Sequence, residues 1–219
     1  MKNYNLLPIV LIVMLATLMR VQAQDPTRFA DDVQAYNQAH HSLKERPIVF
    51  VGSSSILKWE DVGDRYTDYP ILNRGFGGSQ MSDLLYYLED LVIRYNPKQV
   101  FIYEGDNDIA SGKSREQILS DTKEVVGGIL KAIPDVNIIL IAAKPSVKRW
   151  DMANTYLEVN QSFATYAESE RAVQYADIWN PALGSNGKVL DDIFLDDDLH
   201  MNAKGYDIWE EVLRPFLID

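Results

Sequence analysis

The chain has 219 residues, with 32 acidic against 21 basic and a formal net charge of −11. That balance excludes a nucleic-acid binder working through a basic footprint, disfavours tight docking on an anionic membrane, and favours neutral or cationic substrates. There is no cysteine, so neither a disulfide framework nor a lipid-attached lipoprotein is possible.

Residues 1–23 read as a signal peptide. Lys2 gives a short positive start, Leu6 to Met19 is almost wholly apolar, and Val21-Gln22-Ala23 offers small residues for cleavage before Gln24. The apolar run of about 14 residues is short for a membrane span. Arg20, just after that run, departs from the pattern and keeps an uncleaved anchor as the alternative. Cleavage implies a periplasmic or secreted protein with no stable membrane insertion. The mature part, residues 24–219, suits one domain. Without Lys2 and Arg20 it carries 19 basic and 32 acidic residues, a net charge of −13.

The first helix is predicted from Asp25-Pro26 to about Ser42. Asp25 caps it, Pro26 fits its first turn, and Phe29, Val33 and Tyr36 share a face. Ile48 to Val51 reads as a buried strand, because β-branched and aromatic residues suit a pleated, packed surface. It stops at Gly52-Ser53-Ser54-Ser55. Taken alone, this stretch is either a serine-rich turn that caps a helix or a nucleophile held at a strand's C-terminal end. Ile71-Leu72-Asn73 is a short second strand running into Arg74-Gly75-Phe76-Gly77-Gly78-Ser79. Ser79 or Ser82 caps the next helix, whose buried stripe is Leu84, Leu85, Leu88, Leu91 and Val92, and Asn96-Pro97 ends it.

Val100 to Tyr103 is a third strand, ending in Glu104-Gly105-Asp106-Asn107-Asp108. A helix over Ser114 to Ala132 turns Ile118, Val125, Ile129 and Leu130 inward. Val136 to Ala142 is nearly continuous in apolar residues, as a central parallel strand should be. A helix at roughly 152–169, a fifth strand over Val173 to Asp177, an Asp- and Gly-rich loop over 180–200 and a closing helix over Ala203 to Phe216 complete the chain. Strands alternate with helices throughout. The pattern predicts parallel βαβ units in a three-layer α/β/α sandwich around a roughly five-stranded sheet.

Four of the turns that follow these segments carry chemistry. A general base for a serine falls to His200. The other histidines, His40 and His41, lie before the first strand near a helix end. Asp197 stands three residues earlier, a spacing that lets its carboxylate reach the imidazole and fix the tautomer. Asp196, Asp198 and His200 offer a metal site as an alternative, without a second histidine to support it. Gly75-Phe76-Gly77 matches a dinucleotide fingerprint only in part, since the third glycine falls at Gln80. A backbone oxyanion donor is the other reading of this turn. Asn107 adds a side-chain N–H, or is a plain turn residue. A hydroxyl, an oriented base and two or three oxyanion donors make up the parts of an acyl-transfer site.

In these four blocks the chain resembles the SGNH/GDSL hydrolases. The blocks are Gly52-Ser53-Ser54-Ser55, Asn73 to Gly78, Gly105 to Asp108 and Asp197 to His200. They look closest to the platelet-activating-factor-acetylhydrolase-like branch and to bacterial carbohydrate acetylesterases. The resemblance implies a flavodoxin-like SGNH fold with Ser54 as nucleophile, His200 as base and Asp197 orienting it. It also implies an oxyanion hole from Ser54 N–H, Gly78 N–H and the Asn107 side chain, and no metal or organic cofactor. One departure stands out. The family has Asp before the nucleophile, and here it is Ser53, so a hydroxyl is expected to take over that carboxylate's turn-stabilising bonds. An α/β-hydrolase elbow is disfavoured because the position two after the serine is Ile56.

The expected function is that of an exported serine esterase acting on a small-molecule or glycan ester, with short acyl groups such as O-acetyl on carbohydrate. The alternatives are a lysophospholipase, a non-catalytic glycan-binding domain, or a metal-dependent hydrolase. Lys144, Arg149 and Trp150 are candidates for substrate contact. The sequence says nothing of oligomeric state.

Overall fold

A computed structural model describes residues 25–39 and 45–218. The expected signal peptide and both His40 and His41 lie outside the described residues. Five strands form one sheet: β1 (Ile48–Gly52), β2 (Ile71–Gly75), β3 (Gln99–Tyr103), β4 (Asn137–Ile141) and β5 (Val173–Ala176). Their order is β2-β1-β3-β4-β5 and every pairing is parallel. Helices cover both faces, so the α/β/α sandwich stands as expected.

The period-2 alternation of strand side chains divides the core into two layers. Val49, Val51, Leu72, Val100, Ile102, Ile138 and Leu140 face one side. There they meet α1 (Ala30–Gln38), α4 (Met81–Tyr86), α5 (Leu88–Leu91), α7 (Arg115–Ala132) and α8 (Ala153–Ser169). Ile48, Phe50, Phe101, Tyr103, Ile139 and Ile141 face the other side. They meet α2 (Ser54–Leu57), α3 (Val62–Arg65) and α9 (Ala203–Leu213). This second layer is aromatic. Phe50 stacks on Phe101 at 4.4 Å, and Trp59 packs edge-on against Trp209 at 5.7 Å and flat against Tyr206 at 5.3 Å. Each such pair adds about 0.5–1.5 kcal/mol beyond the area it buries.

Several boundaries differ from expectation. The first helix begins as a 3₁₀ turn over Pro26–Phe29, capped by Asp25, and α1 closes at Gln38 rather than continuing to residue 42. The helix expected between Ser79 and Asn96 is broken into α4, α5 and a 3₁₀ turn over Ile93–Tyr95. Neither Ser79 nor Ser82 caps it. Gln80 does, in a reciprocal capping box with Asp83. Ser79 is unavailable because its hydroxyl is engaged elsewhere, as described below.

Candidate active site

The site is built at the C-terminal edge of the sheet, where β1 and β3 lie side by side. β1 ends at Gly52 with φ +145°, and a Cβ there would meet the Tyr103 carbonyl oxygen at 2.0 Å. Only glycine lets the two strands approach this closely. The chain then turns: Ser53 N–H donates to Tyr103 O at 3.1 Å, and Phe76 N–H donates to Gly52 O at 2.8 Å. This turn sorts the three serines. Ser53 and Ser55 are 1% and 2% exposed, whereas Ser54 is half-buried and opens to the surface. Ser53 occupies the N-cap of α2, yet its hydroxyl makes no capping bond. The expected takeover by that hydroxyl does not occur. α2 is a single turn, closed by Ile56 and Leu57 N–H donating to the Ser53 carbonyl at 2.9 and 3.1 Å.

His200 reaches Ser54 from 146 residues away. Its Nε2 lies 3.0 Å from Ser54 Oγ, and its Nδ1 lies 2.5 Å from Asp197 Oδ2. The other Asp197 oxygen accepts Leu199 N–H at 3.0 Å and His200 N–H at 2.9 Å. The His200 side-chain bond, followed by the His200 backbone bond, holds the Asp197 carboxyl well below the usual carboxylate range. The segment is a tight loop. A bridge joins Phe194 to Met201, Leu195 N–H donates to His200 O at 2.8 Å, and Asp198 takes the left-handed conformation at φ 58°. Asn202 anchors its base: Nδ2 donates to Asp192 O and Phe194 O at 2.9 and 3.0 Å, while Oδ1 caps α9 at Gly205 N–H. On its outer side, Lys148 N–H donates to Asp198 O at 3.0 Å, tying the loop to the segment after β4.

The turn after β2 packs against the same serine. A Cβ on Gly77 would lie 3.3 Å from the Leu57 side chain and 4.0 Å from Ser54 Cβ. Gly78 has φ +85°, and open space where a Cβ would stand. Asn107 is the second residue of the turn α6 (Asp106–Ala110) after β3. Its Nδ2 donates to Ser79 O at 2.9 Å and its Oδ1 accepts from Arg149 Nη2 at 3.2 Å. Ser79 Oγ in turn donates to Glu104 Oε1 at 2.5 Å. Glu104 is fully buried, and that burial, with Asp108 nearby, drives its acid far above the usual range. The structure therefore brings Ser54, Asp197 and His200 into one relay. It seats Gly78 in the turn beside Ser54 and ties Asn107 to that turn.

Lys144 and Arg149 both turn inward onto Asp106, which is 5% exposed. Arg149 Nη1 donates to Asp106 Oδ1 at 2.5 Å and to Asp106 O at 3.0 Å. Lys144 Nζ stands 3.5 Å from Asp106 Oδ2. Tyr103 and Tyr156 hydroxyls also donate to this carboxylate. Burial raises the Asp106 acid, but Lys144 and then Arg149 more than offset it, and the net shift is downward. Burial likewise lowers the Lys144 ammonium despite Asp106. Trp150 stacks on Trp179 at 6.0 Å. The sequence held one signal of this network, an Asp in the third block matched by two cations after β4, but nothing local joins segments about 40 residues apart. Among the described residues, no three His, Asp or Glu side chains gather to hold a metal ion.

Residues 51–208 match the GDSL-like Lipase/Acylhydrolase family. No curated protein matches the chain. Among solved structures, a platelet-activating-factor-like protein of Streptococcus pneumonia superposes with a TM-score of 0.76 at 20% identity, over 96% of this chain and 99% of that one. A GDSL-like lipase from Bacteroides thetaiotaomicron gives 0.69 at 21%, over 88% and 96%. A catalytic mutant of an acetylxylan esterase from Geobacillus stearothermophilus gives 0.64 at 16%, over 81% and 98%.

Proposed function

The chain belongs to the GDSL-like lipase/acylhydrolase family, and we propose that it is an exported serine esterase that cleaves short-chain carboxylic esters, with O-acetyl groups on carbohydrate as the substrate class. One observation carries the reading: Ser54 Oγ, His200 and Asp197 form a continuous relay with spacings of 3.0 and 2.5 Å.

In this mechanism His200 Nε2 takes the Ser54 proton as Oγ attacks the ester carbonyl. Asp197 holds the proton on Nδ1 and stabilises the imidazolium that forms. The tetrahedral oxyanion is received by Ser54 N–H, Gly78 N–H and the second Asn107 Nδ2 hydrogen, the first being committed to Ser79 O. Ser54 is the first residue of α2, so its N–H has no partner within the helix and is free to donate. Each such donor is worth about 3–4 kcal/mol in the transition state. His200 then protonates the leaving alcohol, and the C–O bond breaks to give the acyl-enzyme. Water attacks next, losing its proton to His200. The acid departs as Ser54 regains its hydrogen.

Export rests on residues 1–23, and the choice of acetylated carbohydrate on the absence of a long apolar lid segment in the sequence, together with the fold shared with an acetylxylan esterase. A second reading, a lipid acylhydrolase, is favoured by Leu57 and Leu195, 41% and 46% exposed at the end of α2 and in the loop that carries His200. A fluorophosphonate probe is expected to label wild type and not Ser54→Ala. Labelling that persists, or that moves to Ser53 or Ser55, defeats the assignment. Esters of graded acyl length, on acetyl-sugar and lysophospholipid scaffolds, separate the two substrate readings.

A further inference from the structure

We infer that Arg149 is a positioning residue that fixes the Asn107 amide as an oxyanion donor. The inference rests on the reading of Asn107 as such a donor. Three observations lead to it. First, the Asn107 amide is held at both ends, Nδ2 by Ser79 O at 2.9 Å and Oδ1 by Arg149 Nη2 at 3.2 Å. A flipped amide would set its oxygen against the Ser79 carbonyl and its NH₂ against the guanidinium. Both contacts would then be repulsive, and the open hydrogen of Nδ2 would leave the hole.

Second, Arg149 is itself fixed. Its Nη1 bonds the Asp106 carboxylate and the Asp106 carbonyl, and its main-chain N–H donates to Ser146 Oγ at 3.2 Å. The guanidinium thus spans two consecutive residues of one turn, a fork that a lysine cannot reproduce. Third, the Arg149 guanidinium that is paired with the buried Asp106 carboxylate also meets the amide oxygen. A cation bonded to Oδ1 draws electron density from the NH₂ group and strengthens its donation to a developing oxyanion. Because these groups are already in place before reaction, no reorganisation opposes the effect.

The test is a double-mutant cycle on p-nitrophenyl acetate hydrolysis. Arg149→Met is expected to lower kcat about 10–100-fold, the loss of one charge-assisted bond, while KM stays within about threefold. Arg149→Lys keeps the charge and the Asp106 contact, loses the fork, and is expected to fall between. In an Asn107→Ala background, either Arg149 substitution is expected to cost no further activity. Losses that multiply there, or a KM that rises with kcat unchanged, overturn the inference. Circular dichroism checks that each variant folds, and if Arg149→Met does not, Arg149→Lys decides. If Asn107→Ala alone leaves kcat intact, the oxyanion reading itself has failed, and the inference fails with it.

Discussion

Asp197 lends itself to a test in which two substitutions are ranked. In Asp197→Asn the orientation of the new amide is set in advance. Leu199 and His200 N–H both donate to Oδ1 at 3.0 and 2.9 Å, so the amide oxygen stays there and Nδ2 takes the place of Oδ2. That NH₂ would face His200 Nδ1 at the present 2.5 Å contact and could only donate to it. Nδ1 must then be bare, and the ring proton moves to Nε2, where it blocks acceptance from Ser54. A wrong tautomer of this kind costs about 10⁴ in kcat in the serine-protease triad, roughly 5.5 kcal/mol. Asp197→Ala leaves Nδ1 to water and imposes no tautomer. It forfeits the bond to Nδ1 and the two backbone N–H bonds that Oδ1 accepts, each partly replaced by water because the carboxylate is half-exposed. Asparagine, chemically the milder change, is therefore expected to be the slower enzyme. Steady-state kcat on p-nitrophenyl acetate measures it. Equal activities, or a faster asparagine variant, would refute the tautomer argument.

Gly52→Ala is expected to abolish soluble expression, since its methyl group would sit 2.0 Å from a β3 carbonyl. Gly78→Ala meets no atom within 4 Å and should fold, with a strain cost of about 1–2 kcal/mol at its positive φ, read as a modest fall in Tm, and with a lowered kcat. For Glu104 the acid is raised in the folded state. Its stabilising contribution is thus complete below the ordinary glutamate range and declines as pH rises above it. Glu104→Gln removes that dependence, so thermal denaturation should show the variant gaining on wild type from pH 5 to pH 9, and parallel curves would contradict the buried neutral acid. Hydrolysis is expected to survive EDTA, and loss of activity restored by added metal would favour a metal-dependent hydrolase.

How the sequence foretold this molecule depends on the range over which each signal acts. The strands were legible because β-branched runs such as Ile138 to Ile141 are buried on both faces, and burial of that kind leaves a purely local pattern. The grouping of Ser54, Asp197 and His200 was legible through block order and spacing, and burial now distinguishes Ser54 from its neighbours. The Gln80 cap was not foreseen because Ser79 and Ser82 are better capping residues by type. What excludes Ser79 is Glu104, 25 residues away. Arg149 is a candidate for substrate contact by its place in the loop after the fourth strand, and only the packing of β3 against β4 brings Asp106 within its reach. Short-range chemistry was written locally, while its supports are long-range.

The loop that carries Asp197 and His200 is closed on itself by Phe194, Met201 and Asn202. Acid and base are therefore a single cassette set just before α9, and their mutual geometry travels with it. If the cassette shifts, the 2.5 Å contact inside it survives while the 3.0 Å span to Ser54 opens. Displacement thus uncouples the nucleophile without dismantling the base. Loss of its outer tether, the backbone bond from Lys148 N–H to Asp198 O, as in Lys148→Pro, would act as a throttle on Ser54 reactivity and leave the imidazole's own pairing untouched.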